Sequence, residues 1–66
     1  MKVILKEKQP LSYKGIITWY DKGVEFEVLE EKTFPGFKDL FYKLKSVKWN
    51  IVLDGWNNSE DFEKVI

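Results

Sequence analysis

The chain of 66 residues carries eleven basic and eleven acidic side chains, so it has no net charge at pH 7. Because it contains neither cysteine nor histidine, its chemistry excludes disulfides, thiolate or imidazole catalysis and the usual zinc sites. No apolar run has transmembrane length and no signal peptide is apparent, which predicts a cytoplasmic protein with no membrane partner. We expect one small domain over residues 1–66.

The basic residues are all lysines, and arginine and alanine are absent. This bias is typical of an AT-rich genome, and together with the small size it suggests a host-directed inhibitor of mobile-element or viral origin. Four glutamates fall within residues 23–31 and four lysines within residues 37–48. We expect these charges to lie on solvated surfaces and to mix in space once the chain folds.

The first half of the chain predicts three strands. Residues 1–8 form the first strand, and Pro10 ends it because proline cannot donate to a ladder. Residues 14–20 form the second strand, with apolar side chains on both faces, as in a central strand flanked by the first and third strands. Residues 24–29 alternate apolar and acidic side chains and form the third strand, which is half buried.

The second and third strands are expected to form a β-hairpin. Asp21-Lys22-Gly23 suits a three-residue loop that closes with Gly23 in the left-handed region. The resulting register has three pairs on one face: Tyr20 with Val24, Thr18 with Phe26, and Ile16 with Val28. Ile17 and Trp19 then share the opposite face with glutamates, so a large indole lies on a polar surface.

Residues 37–48 predict the main helix. Five apolar residues fall on one stripe at helical spacing: Phe37, Leu40, Phe41, Leu44 and Val47. Lysines toward the carboxyl end complement the helix dipole. Phe41 in this helix and Phe26 in the third strand are expected to be among the most buried residues.

The remaining segments predict a fourth strand at residues 49–53 and a short last helix. Asn58 or Ser59 would cap this helix, and Phe62, Val65 and Ile66 would form its apolar side. The order is then β-β-β-α-β-α, an α+β domain with a mainly antiparallel sheet and one main helix packed on one face. The fourth strand could pair at either sheet edge, and a partly closed five-element barrel is the second choice.

Nothing in the sequence indicates catalysis, a cofactor or a metal. The serines have no base or nucleophile-elbow glycines nearby, and glycine-rich phosphate loops are absent. Residues 54–61 are rich in oxygen ligands, but Trp56 occupies the position of the second ligand of an EF-hand loop. A turn followed by a capped helix explains this segment better, so the protein is expected not to be an enzyme.

Binding is the expected function, and another protein is the first choice of partner. Ile17 and Trp19 on the hairpin and Trp56 and Asn57 in a turn are the candidate contact residues, because exposed Trp dominates interface energetics. The alternative is that the chain itself covers both tryptophans. If Ile17 and Trp19 stay bare, a two-fold homodimer through that face would bury them.

Single-stranded nucleic acid is the alternative partner. Cations interleave with rings in the manner of stacking platforms, through Lys14, Trp19, Tyr20 and Lys22 on the hairpin and Lys38, Tyr42 and Lys45 on the helix. The absence of arginine and of net positive charge argues against sequence-specific duplex binding. The sequence therefore predicts a protein-interaction module such as an inhibitor, adaptor or accessory subunit, with weak single-strand binding as the alternative.

Overall fold

The computed structural model describes residues 1–65, which fold almost entirely as β-structure. The strands are β1 (Lys2–Leu5), β2 (Gln9–Tyr13), β3 (Ile16–Tyr20), β4 (Glu25–Thr33), β5 (Leu40–Ser46), β6 (Asn57–Asn58) and β7 (Phe62–Val65). A 3₁₀ turn at Ser59–Asp61 precedes β7, and no α-helix occurs in the described part of the chain. The predicted α+β fold with a main helix on one sheet face is therefore wrong.

The strands form two antiparallel sheets. The larger sheet has five strands in the order β6-β5-β4-β1-β7, and β2 pairs with β3 in a separate two-stranded sheet. The core lies between one face of the larger sheet and this β2–β3 hairpin. Phe26 on β4 is fully buried, as predicted, and its ring contacts those of Tyr20 on β3 and Phe62 on β7, each at a centroid distance of 5.7 Å.

The segment predicted as the main helix forms β5. Tyr42, Leu44 and Ser46 are buried and alternate with half-buried lysines, which is the period of a strand. Phe41, expected deep in the core, is only half buried, and the first residue of the predicted stripe, Phe37, is 65% exposed. Pairing with β4 determines the outcome, because a strand here hydrogen-bonds to the backbone of β4, whereas a helix would leave that edge of β4 open.

The charged segments of β4 and β5 lie opposite each other. Glu27 pairs with Lys45, and Glu30 pairs with Lys43 across a register shift that follows Val28. Oppositely charged cross-strand neighbours stabilise an antiparallel pair. The acidic and basic segments of the sequence thus mix in space on one sheet, as expected.

The hairpin predicted between the second and third strands does not form, because the second predicted strand pairs with a different segment. β3 pairs with β2, so Thr18 lies opposite Leu11 and not opposite Phe26. Lys14 and Gly15 form the two-residue turn, both with positive φ (50° and 78°), as a type I′ hairpin requires. The predicted second strand, which is β3 in the structure, is consequently an edge strand and not a central one.

The loop predicted at residues 21–23 exists, but it joins β3 to the larger sheet. Gly23 has φ 88°, which confirms the left-handed conformation expected there. Its N–H donates to the carbonyl of Leu5, and the Leu5 N–H donates to the carbonyl of Val24. This turn therefore extends the pairing of β1 with β4. The first strand ends at Leu5, and Pro10, which was predicted to end it, lies within β2.

The predicted fourth strand and last helix are also wrong. Within residues 49–53 only Val52 makes an isolated bridge, to Lys45. Asn58 does cap, since its side chain accepts a hydrogen bond from the Glu60 N–H at 2.9 Å, but the turn is 3₁₀ and stops at Asp61. Residues Phe62–Val65 are extended, and not helical, because they pair with β1 as β7. Ile66, the last residue of the predicted helix, lies outside the described residues.

Candidate functional site

An apolar cleft lies between the β2–β3 hairpin and residues 49–51. Its volume is about 430 Å³. It is lined by Tyr13, Ile16, Thr18, Trp19, Tyr20, Trp49 and Ile51. We call this the hairpin cleft. It is large enough to receive one or two apolar side chains of a partner.

The two faces of β3 differ in what they contact. Cross-strand pairing places Ile16, Thr18 and Tyr20 on the face that carries the buried Leu11, whereas Ile17 and Trp19 lie on the opposite face. Trp19 nevertheless also borders the hairpin cleft. Tyr20 joins the core, but the large apolar side chains around it remain in solvent. The exposed fractions are 67% for Ile16, 70% for Ile17 and 63% for Trp19.

Trp49 forms the far wall of the cleft. It follows β5 in a turn, and its ring meets that of Tyr20 edge-on at 5.6 Å. Almost half of its surface is exposed, at 49%. Trp49 was predicted to lie in a strand and was not identified as a site residue, because no local sequence signal brings residue 49 next to residue 20.

The carboxylate of Asp54 holds the tip of the hairpin in place. It accepts hydrogen bonds from the Gly15 N–H (2.8 Å), the Ser12 hydroxyl (2.8 Å) and the Lys14 N–H (3.0 Å). These three donors, that of Gly15 foremost, hold the pKa of Asp54 below its usual range. In addition, the Asp54 N–H donates to the carbonyl of Ser12. Asp54 was expected only as part of the turn within residues 54–61, since its partners lie about forty residues away along the chain.

Two lysines flank the cleft and lie over its rings. The ammonium group of Lys14 is 5.4 Å from the centroid of Tyr13, and that of Lys48 is 5.1 Å from the centroid of Trp49. Neither makes an ion pair with a carboxylate of the described residues. The cleft therefore has apolar walls and a basic rim.

Trp56 and Asn57, the other predicted contact residues, lie outside the hairpin cleft. Trp56 is half buried, and its ring contacts that of Phe34, in the segment before β5, at 6.0 Å. The Lys32 ammonium lies 5.5 Å from the Trp56 centroid. Asn57 donates from its side chain to the carbonyl of Tyr42 at 3.4 Å. The predicted residues thus fall on two separate surfaces.

Two rings of the nucleic-acid alternative are in the core. Tyr20 and Tyr42 are buried, and burial, with Glu31 opposite on β4, raises the pKa of the Tyr42 phenol. Lys45 lies opposite Glu27, as described above. Among the rings proposed for stacking, only Trp19 presents most of its surface to solvent.

Comparisons with protein-family models, with curated proteins and with solved structures found no match to this chain. Within residues 1–65, no helix has the length and apolar character needed to cross a membrane. The same residues contain no group of three or more acidic side chains arranged to hold a metal ion. Function must therefore be inferred from the hairpin cleft and its surroundings.

Proposed function

We propose that the protein is a non-catalytic interaction module, such as an inhibitor, adaptor or accessory subunit, that binds another protein through the hairpin cleft. The supporting observation is the exposure of three large apolar side chains, Ile16, Trp19 and Trp49, around one concavity. Exposed apolar clusters of this kind mark binding surfaces, because leaving them in water is unfavourable.

The chemistry of the cleft favours protein recognition over catalysis. Its lining offers three hydroxyl groups, from Tyr13, Thr18 and Tyr20, and no carboxylate or amine. Tryptophan side chains at the centre of an interface contribute most of its binding free energy. The free ammonium groups of Lys14 and Lys48 favour a partner with acidic residues beside its apolar anchor, mainly by raising the association rate.

Affinity capture with matched variants tests this proposal. The tagged protein and its Trp19→Ala, Trp49→Ala and Phe37→Ala variants would each be incubated with native lysate, with and without nuclease. Phe37 is a matched control because its ring is as exposed as Trp19 but lies outside the cleft. We expect each tryptophan variant to bind the captured protein about 2–4 kcal/mol more weakly and so to lose it from the capture. Phe37→Ala should retain it.

Three results would contradict the proposal: equal capture by all variants, loss with Phe37→Ala alone, or loss of every partner after nuclease treatment. Trp56→Ala, assayed beside them, measures the contribution of the second predicted surface. Its partner binding is expected to stay close to that of the unmodified protein. Circular dichroism spectra of each variant would establish that loss of binding is not loss of fold.

Single-stranded nucleic acid remains the second candidate, because Lys14 and Lys48 lie over rings beside the cleft. Stacking on such rings would quench tryptophan fluorescence, and affinity would fall steeply with salt. Titration with a single-stranded DNA oligonucleotide at two salt concentrations tests this directly. The protein-binding proposal predicts no salt-sensitive quenching. A second copy of the chain is a further partner that the same hairpin fits.

A further inference from the structure

Strand β3 has one open edge. Among the described residues its backbone pairs only with β2, and no other segment donates to or accepts from it. Proteins protect such edges with charged residues or proline, as β7 does with Glu63 and Lys64. The edge of β3 has no such protection, because Ile16–Tyr20 contains no charge and most of it is exposed.

The hairpin geometry determines which backbone groups point outward. A two-residue turn makes Tyr13 and Ile16 a hydrogen-bonded pair, and the two kinds of pair then alternate along the ladder. Ser12 and Ile17 are therefore a non-hydrogen-bonded pair, with their N–H and C=O groups directed away from each other. The carbonyl of Ser12 accordingly accepts from Asp54 on the outer side.

The same alternation makes Pro10 and Trp19 a non-hydrogen-bonded pair. A proline is tolerated here because no donor is needed toward β3. Ile17 and Trp19 consequently direct both their N–H and C=O groups to the open edge, while Thr18 between them is bonded to β2. The open edge is a short template for one more strand.

We propose that this strand is β3 of a second copy of the chain, paired antiparallel about a two-fold axis at Thr18. The inference rests on the proposed function, in that it takes the hairpin as an interface. In this register Ile17 lies opposite Trp19 of the second copy, and each such pair exchanges two hydrogen bonds. The outer face then carries two aromatic–β-branched pairs, which are favourable cross-strand neighbours.

The sequence of β3 is self-complementary in this register and in no neighbouring one. Centring the axis on Ile17 would place Trp19 opposite Gly15, where no side chain meets the indole. Centring it on Trp19 would place Ile17 opposite Asp21. Only the Thr18-centred register pairs all four of the exposed Ile17 and Trp19 side chains with an apolar partner, and this complementarity identifies a second copy as the occupant.

The pairing leaves the hairpin cleft available. A two-fold axis perpendicular to the sheet keeps both clefts on the same side of the new four-stranded sheet. Trp19 belongs to both sites, since it borders the cleft and pairs with Ile17 of the second copy, whereas Trp49 belongs to the cleft alone. Strands of five residues bury less than the ~800 Å² per partner that is typical of stable complexes. The dimer therefore forms at high protein concentration and presents two clefts side by side to a partner.

Cysteine scanning of β3 tests the register, since the chain has no native cysteine. In a non-hydrogen-bonded pair the Cα atoms of the two Thr18 residues are about 4.5 Å apart, within the range that a disulfide spans. Two Ile17 residues in this register are more than about 7 Å apart and are out of range. Oxidation with diamide, which accepts the two electrons and two protons of the thiols, should give covalent dimers of Thr18→Cys.

The neighbouring variants Ile17→Cys and Trp19→Cys are the matched controls, and Val52→Cys reports random collision. We expect Thr18→Cys to be mostly dimeric and all three controls mostly monomeric. Predominant cross-linking at position 17 or 19 would overturn the register. Equal cross-linking at all four positions, or none at any position, would overturn the pairing itself.

Sedimentation equilibrium on proteins without cysteine gives an independent measure. Ile17→Pro removes an outward N–H donor that β2 does not use, whereas Ile17→Val keeps it. We expect Ile17→Pro to raise the dimer dissociation constant at least about tenfold and Ile17→Val to change it little. Melting temperatures would show that both variants fold. An unmodified protein that is strictly monomeric at millimolar concentration would overturn the inference.

The two proposals can fail separately. Trp49 lies in the cleft but not on the edge of β3, so Trp49→Ala should abolish partner capture and leave the monomer–dimer equilibrium unchanged. Ile17→Pro should weaken the dimer and leave the cleft itself intact. A monomeric protein that still loses its partner with Trp49→Ala would refute only the dimer. A Thr18-linked dimer that binds no other protein would refute only the cleft as a partner site.

Discussion

Replacing Tyr20 tests the way in which the β2–β3 hairpin is attached to the larger sheet. Its ring is buried, packs on Phe26 at 5.7 Å and on Trp49 at 5.6 Å, and connects the core to the cleft. Truncating a buried aromatic ring to alanine costs about 3–5 kcal/mol. Since a domain of this length has a total stability of about 3–10 kcal/mol, Tyr20→Ala should be largely unfolded or close to it.

The assay is thermal unfolding followed by far-ultraviolet circular dichroism, with guanidinium unfolding as a second measure. In a domain of this size 1 kcal/mol corresponds to about 4–8 °C, so Tyr20→Ala should lower the melting temperature by at least about 12 °C. Tyr20→Phe should stay within about 0.5 kcal/mol, because the Tyr20 hydroxyl makes no hydrogen bond with any described residue.

Trp19→Ala is the control, since it removes the adjacent ring from the other face of the same strand. That ring is mostly exposed, so its loss should change the melting temperature by no more than about 4 °C. If Trp19→Ala destabilises the protein as much as Tyr20→Ala, the indole is in the core. The assignment of faces on β3, and with it the binding surface, would then be refuted.

Two further predictions concern the hairpin tip and β5. Because the folded pKa of Asp54 is lowered, its contribution to stability is complete above the unfolded pKa and is lost as the pH falls through the folded value. Acid titration of the melting temperature should show this loss, and Asp54→Asn should abolish that part of it. Phe41→Ala should cost about 1–3 kcal/mol, less than the ~3–5 kcal/mol of Phe26→Ala, as guanidinium unfolding would measure. A loss at Phe41 as large as that at Phe26 would contradict the half-buried position of Phe41 on β5.

The sequence does not decide between strand and helix at residues 37–48, for a specific reason. Leu40 and Leu44 are four residues apart, a spacing that falls on one face both of a helix and of a strand. The two periods differ at Phe41 and Tyr42, both of which are aromatic and fit a core equally well. The decision is tertiary, since β5 pairs along its length with β4 and buries Tyr42 and Leu44 in the core.

The turn at residues 21–23 was predicted correctly, but the turn at Lys14-Gly15 was assigned to a strand and the strand partners were wrong. Two turns flank β3, one at Lys14-Gly15 and one at residues 21–23, and both occur in the structure with glycine at positive φ. Either turn would produce a hairpin, and local sequence does not rank them. The choice depends on Leu11 and Tyr20 being buried together against the larger sheet, which is a tertiary effect.

Trp19 was expected on an exposed face from a hairpin register with β4 that is wrong, and the cleft around it was not predicted. Trp19 lies in solvent because its neighbours on β3 alternate between two faces. The opposite wall of the cleft comes from Trp49 and Ile51, and Asp54 fixes the hairpin beside them. These contacts span about thirty to forty residues of sequence and have no local signature, so they could not be predicted from the sequence.

The composition of β3 connects the fold to the proposed assembly. Apolar side chains on both faces are typical of a central strand, yet in the single chain β3 lies at an edge with Ile17 and Trp19 in solvent. An edge strand with the composition of a central strand and no charged residue is unusual, because its unpaired N–H and C=O groups favour pairing with a strand of another chain. The two-fold register centred on Thr18 would place β3 in the middle of a four-stranded sheet, where its composition and its outward N–H and C=O groups are both accounted for.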